Sequence, residues 1–125
     1  MTKTPELAVR NDPEAGQYEL FYQGAPVGLA QYQASPTAVA FVHTEISPEV
    51  GGRGFGKILV KAALDDVRRR GLAALPYCTF VRHFIEEHPQ YLDLVPAARR
   101  RAFALPPADA PERDPQVGGP EVGGA

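Results

Sequence analysis

The sequence predicts an α/β protein of the mixed α+β kind, with antiparallel N-terminal strands followed by a β-loop-α-β unit. Three observations carry this expectation. Short aromatic and aliphatic runs, divided by the turn sequences "DPEAG" and "GAP", occupy the N-terminal third. The stretch "EVGGRGFGK", Glu49 to Lys57, packs glycines around one arginine directly ahead of the helix-patterned "ILVKAALDDVRRRG". The apolar run "LAALPYCTF" then falls where such a unit returns to its sheet.

Taken in order, Leu7 to Asn11, Tyr18 to Gln23 and Val27 to Gln33 read as an antiparallel meander. After the "ASPT" turn, Ala38 to Ile46 is the strongest strand pattern. A regular pleat places Val39, Phe41, His43 and Glu45 on one face, and a bulge would reset that parity. From Phe55 to Arg70, Val60, Leu64 and Val67 keep helical spacing, with Lys61/Asp65, Asp65/Arg69 and Asp66/Arg70 as solvent-side pairs. Gly71 is placed to close that helix in the left-handed region. Leu72 to Phe80 is expected as a buried strand parallel to the fourth. "TFVRHFIEEH" follows as a helix with Thr79 as N-cap, Phe80, Phe84 and Ile85 inward, and Pro89 as its stop. "QYLDLVPAARRRAF" should supply one last short packed element. The Pro/Gly-rich sequence beyond Leu105 has too little apolar surface to offset ordering entropy. The expected organisation is therefore one domain over residues 1–105 and a disordered tail over 106–125.

Composition agrees with one core: 125 residues, 44% hydrophobic and 22% charged. A net charge of -2 without a broad basic field argues against nucleic acid as a partner, and Arg68–Arg70 and Arg99–Arg101 read as solvated helix ends. The single cysteine, Cys78, excludes an internal disulfide and a cysteine-rich zinc site, so no metal is expected. No apolar run approaches a membrane span and "MTKTPELAVRNDPEAG" lacks a signal-peptide core, which leads to the expectation of a cytoplasmic protein without a membrane partner, monomeric or weakly dimeric.

The glycine loop exposes bare backbone ahead of a helix N-terminus, where several N–H groups and the helix dipole favour an anion. A phosphate-bearing ligand fits; an empty strand-to-helix turn is the competing reading. Gly51 to Lys57 nearly matches G-x-x-x-x-G-K, but Ile58 stands where a nucleotide triphosphatase needs a Ser or Thr hydroxyl for magnesium. Gly52, Gly54 and Gly56 are evenly spaced, unlike the G-x-G-x-x-G of dinucleotide sites. Gly54 and Gly56 do fit a third template, the Q/R-x-x-G-x-G/A pyrophosphate loop of acetyl-CoA-dependent N-acetyltransferases.

Together with "HTEI" from His43, "PYCTFV" from Pro76 and "HPQYLDLV" from His88, that loop resembles the short single-domain GNAT-like N-acetyltransferases over Leu7 to Val95. The resemblance implies a mixed sheet splayed between its fourth and fifth strands, with acetyl-CoA as cosubstrate in the split and no metal. It places pyrophosphate on Gly51, Gly52, Arg53, Gly54, Phe55 and Gly56, and pantetheine along the backbone of Thr44, Glu45 and Ile46. The Q/R position of the motif falls on Gly51, which leaves Arg53 as the candidate for the missing charge.

Acetyl transfer to an amine needs a base, an oxyanion donor and a proton for the departing thiolate. Glu45 is the candidate base, against a solvated strand-end carboxylate. His43 could share its face, against a hydrogen-bonded structural histidine. A strand N–H near Ile46 could hold the oxyanion. Cys78 could protonate the thiolate or carry acetyl itself, against a small buried hydrophobe. Tyr77 is an alternative donor with its phenol expected to point away, and His88 and Tyr91 read as packing residues. The expected function is acetyl-CoA-dependent N-acetylation of a small-molecule or protein amine by direct attack on the thioester. The alternative is a non-catalytic acyl-CoA-binding or protein-interaction module.

Overall fold

Residues 6–106 are described by the structure, a computed structural model, and the tail expected from the sequence lies, from residue 107 on, outside the described residues. Strands β1 (Leu7–Asp12), β2 (Gln17–Tyr22), β3 (Ala25–Ala34) and β4 (Ala38–Ile46) form an antiparallel meander, and β5 (Ala73–Pro76) joins parallel to β4. Helix α1 (Phe55–Arg69) makes the β4-to-β5 crossover, and α2 (Thr79–Glu87) follows β5. The last packed element is three short 3₁₀ turns, Pro89–Leu94, Ala97–Arg99 and Arg101–Phe103.

One face of the sheet carries the core because alternate residues of each strand point the same way. Tyr18, Leu20, Ala30, Tyr32, Val39 and Phe41 are buried there against Leu59, Val60, Ala63, Leu64 and Val67 of α1. Each such aliphatic or aromatic side chain stabilises the fold by roughly 1.5–3 kcal/mol relative to exposure. The buried tyrosines keep their polar ends satisfied, Tyr18 donating to Asp66 at 2.6 Å and Tyr32 to Asn11 at 2.6 Å. Burial first, and then the Asp66 carboxylate, push the Tyr18 phenol far above its ordinary range.

Two of the helix pairs expected from spacing form, Lys61–Asp65 at 2.9 Å and Asp66–Arg70 at 3.3 Å. The expected Asp65/Arg69 pair does not: Arg69 turns to Asp66, while Asp65 accepts from Tyr91 at 2.7 Å because the 3₁₀ turn Pro89–Leu94 packs beside α1. Gly71 closes α1 at φ +72°, as its position implies.

β5 is shorter than its apolar run suggests. Its pairing with β4 ends at Phe41↔Pro76, after which the Cys78 N–H donates to Phe41 O at 2.8 Å and the chain departs into α2. The N-cap of α2 is Cys78 rather than Thr79, and the buried set is Val81, Phe84 and Ile85. Phe80, expected inward, is 38% exposed. Spacing from Phe84 and Ile85 selects Val81 for the same stripe and puts Phe80 at its edge.

β4 is interrupted by a bulge. Gln31 pairs with His43 and Tyr32 with Phe41, so Val42 is the extra residue and the pleat parity resets there. Val39 and Phe41 face α1, whereas His43 and Glu45 face the other side of the sheet; the single face expected for all four is split. Thr44 lies on the α1 side, in contact with Cys78. Among the described residues, no helix is long and apolar enough to cross a membrane.

Candidate functional site

The loop before α1 is built from backbone. After the 3₁₀ turn Pro48–Val50, Gly52 takes φ +82° and Gly54 φ +76°, values that cost a residue with a Cβ roughly 1–2 kcal/mol. A Cβ added at Gly52 or Gly54 would meet nothing within 4 Å. Glycine is therefore favoured there by conformation, and the space beside the loop is open. Gly54 is also the N-cap of α1 and offers no side-chain oxygen, so the first-turn N–H groups have no side-chain acceptor. Such an uncapped turn, at the positive end of a fifteen-residue helix, suits an anionic ligand.

The other loop residues have different roles from those spacing alone assigns. Phe55 is 7% exposed and packs on Tyr22 at 5.1 Å between centroids, anchoring the loop to β2. Gly56 is buried beneath Phe80, whose ring tip lies 2.7 Å from where a Cβ would sit. Phe55 and Gly56 can thus reach a ligand through their backbone only. Arg53 donates to the Tyr22 hydroxyl at 3.2 Å and lies over that ring at 5.5 Å, so the loop's cation is held from the sheet. Gly51 is exposed, its N–H donating to Pro48 O at 3.1 Å. Beside the first turn of α1, Lys57, Thr79, Phe80, His83, Phe84 and Glu87 line a groove of about 310 Å³.

The second half of the site is the gap that opens where β5 leaves β4. His43 to Ile46 have a strand partner in β3 and none in β5, and Val42 has neither. On the α1 side of this gap, the Thr44 hydroxyl contacts the Cys78 thiol at 3.4 Å, and Cys78 is 9% exposed at the N-terminus of α2. On the other side, His43 Nε2 lies 3.2 Å from Glu45 Oε2, with both side chains at least half exposed. Ile46 packs against the core. The structure thus joins Glu45 to His43 and Cys78 to Thr44, and sets the two pairs on opposite sides of β4. The Thr44 hydroxyl is the partner that sequence reading passed over, because only the reset at Val42 turns it toward Cys78. Tyr77, half exposed, stacks edge-on against Phe103 at 5.1 Å and accepts from Arg99, away from the gap as expected. His88 stacks on Phe84 at 4.1 Å and Tyr91 is buried, both as packing residues. Among the described residues, no group of three or more His, Cys, Asp or Glu could hold a metal ion.

A glycine-lined helix N-terminus beside a sheet that parts between a bulged β4 and a short parallel β5 is the arrangement that the resemblance to GNAT-like proteins implies. The comparisons agree. The family model for the GCN5-related N-acetyltransferase matches residues 17–94, and the chain belongs to that family. It is similar to protein NATD1 of Danio rerio, 34% identical over 94 residues that cover 71% of this chain and 84% of the relative. It is also similar to protein NATD1 of Gallus gallus, 42% identical over 92 residues covering 70% and 83%. The solution structure of a GCN5-like protein from Staphylococcus aureus shares the fold with a TM-score of 0.57 at 24% sequence identity, covering 73% of this chain and 89% of that one.

Proposed function

We propose that the protein transfers acetyl from acetyl-CoA directly to an amine, using the gap between β4 and β5 as the place of reaction. One observation carries the reading: the gap has a carboxylate on one side and a thiol on the other, beside an uncapped glycine loop. Gly52 to Lys57 would receive the pyrophosphate through backbone N–H groups, with Arg53 as the nearest guanidinium. The backbone of Thr44 to Ile46, unpaired on the β5 side, would hold the pantetheine arm. When bound, acetyl-CoA supplies the activated acyl carbon. Glu45, oriented by His43, takes a proton from the incoming amine on one side, and an N–H near Ile46 meets the oxyanion. As the C–N bond forms and the C–S bond breaks, the Cys78 thiol, held by Thr44, gives its proton to the departing thiolate and recovers one from solvent.

Direct transfer is favoured over an acetyl-cysteine intermediate because a thioester on Cys78 would be no lower in energy than the one that formed it. The exposure of His43 and Glu45 is the observation that favours the alternative, an acyl-CoA-binding module without turnover. Calorimetric titration of acetyl-CoA, followed by turnover over a broad amine panel, separates the two. Gly54→Val should lose acetyl-CoA affinity while the protein stays folded, since the new side chain enters the open space beside the loop. Unchanged affinity would overturn the assignment of the loop. Intact-mass analysis after incubation with acetyl-CoA alone should show no adduct; stoichiometric acetylation of Cys78, discharged by an amine at the turnover rate, would overturn direct transfer.

A further inference from the structure

The face of the sheet opposite α1 holds a cavity of about 750 Å³ whose lining includes Arg10, Glu19, Phe21, Leu29 and Glu45. Cross-strand register explains why these residues meet. Arg10 pairs with Glu19, Glu19 with Leu29 and Leu29 with Glu45, so one row crosses four strands and ends on the carboxylate beside the β4/β5 gap. Three strand spacings set Arg10 and Glu45 about 14 Å apart at their Cα atoms. Pro26 and Phe21 pair in the next row and extend an apolar floor next to Leu29.

The charges on this floor are not equivalent. Glu19 is already satisfied: Arg10 donates to one oxygen at 3.0 Å and Gln17 to the other at 2.8 Å. Gln17 foremost, and then Arg10, hold its carboxyl below the usual range. Arg10 also lies over the Phe21 ring at 5.1 Å and keeps a largely exposed side chain, so a guanidinium faces whatever reaches the far end. Counting Arg10, Glu19 and Glu45, the ionisable lining sums to one negative charge, and that surplus sits at Glu45.

We infer that this cavity binds the acceptor and selects an amphipathic monoamine, with its ammonium at Glu45, its apolar body over Leu29 and Phe21, and a neutral or anionic end toward Arg10. Arg10 is then a specificity-determining residue, because its cation opposes a second positive charge on the acceptor. The inference rests on the transferase reading and goes beyond it by naming the acceptor class.

Three acceptors built on the same six-carbon chain test it: n-hexylamine, 6-aminohexanoate and 1,6-diaminohexane. The wild type should use the first two with kcat/KM about tenfold above the diamine, a modest ratio because Arg10 is partly neutralised by Glu19. Arg10→Glu should make the diamine the best of the three. A wild-type preference for the diamine, or an unchanged order in Arg10→Glu, would overturn the proposal. Backbone ¹H–¹⁵N titration of the wild type with hexylamine and, separately, with acetyl-CoA keeps this proposal distinct from the reading beneath it. Hexylamine should shift Phe21, Leu29 and Glu45; if it does not while acetyl-CoA still shifts Gly52 to Lys57, the acceptor site is wrong and the transferase reading stands. Loss of the acetyl-CoA shifts would instead count against the transferase reading itself.

Discussion

Strand β4 is two different objects joined at Val42. Its first half, Ala38 to Phe41, is paired with β5 throughout and with β3 from Val39 on, and it buries Val39 and Phe41 beneath α1. Its second half, Val42 to Ile46, leaves Val42 unpaired, is paired with β3 alone from His43 on, and presents His43 and Glu45 to solvent. The same extended backbone thus serves as core in one half and as exposed edge in the other. The difference comes from two local events, one extra residue in β4 and the early departure of β5 at Pro76. Between them they free backbone groups at the strand edge without leaving the core unpaired.

The contrast predicts that damage to the first half is thermodynamic and damage to the second is catalytic. Phe41→Ala should cost about 3–5 kcal/mol of stability, read from urea unfolding, because the ring is 1% exposed between Tyr18 and Tyr32. A cost below about 1 kcal/mol would break the comparison. Glu45→Gln should leave the unfolding midpoint nearly unchanged and lower kcat/KM by about 10²-fold, the effect of removing the proposed general base. A shifted midpoint would mean that Glu45 holds the strand together. The smallest effect concerns pH. The buried half depends on α1, which is tied to the chain that follows by Arg68, bonded to Asp93 at 2.8 and 3.0 Å. That hydrogen bond, chiefly, holds the Asp93 carboxyl below its usual range. A depressed folded-state pKa contributes stability above the unfolded value, and this contribution is lost as pH falls through the folded one. Unfolding midpoints should therefore decline on acidification below the ordinary aspartate range, and Asp93→Asn should flatten part of that decline. An identical acid slope in the variant would remove this tie from the account.

Periodicity and glycine spacing made much of this architecture legible in the sequence. The meander, α1, Gly71 and the glycine-rich turn ahead of α1 follow from patterns within single segments, where apolar spacing and turn residues act locally. What escaped depends on pairing between segments. The bulge at Val42 exists only relative to the register of β3, so the side of the sheet taken by His43 and Glu45 was conditional on it. The row from Arg10 to Glu45 needs three registers at once. Phe80 misled because a phenylalanine at the start of an amphipathic helix reads as core, whereas its ring covers Gly56 of the neighbouring helix.

That last contact ties two positions 24 residues apart in sequence into one packing unit. The acetyltransferase loop pattern admits alanine where Gly56 stands, yet here the added methyl would meet the Phe80 ring tip at 2.7 Å. The ring lies at the helix edge and can swing outward, so the cost falls on the shape of the Lys57–His83 groove rather than on α1. Among relatives of this chain, an alanine at the position of Gly56 is expected to travel with a smaller side chain at the position of Phe80. Substituting both together should be tolerated better than changing Gly56 alone.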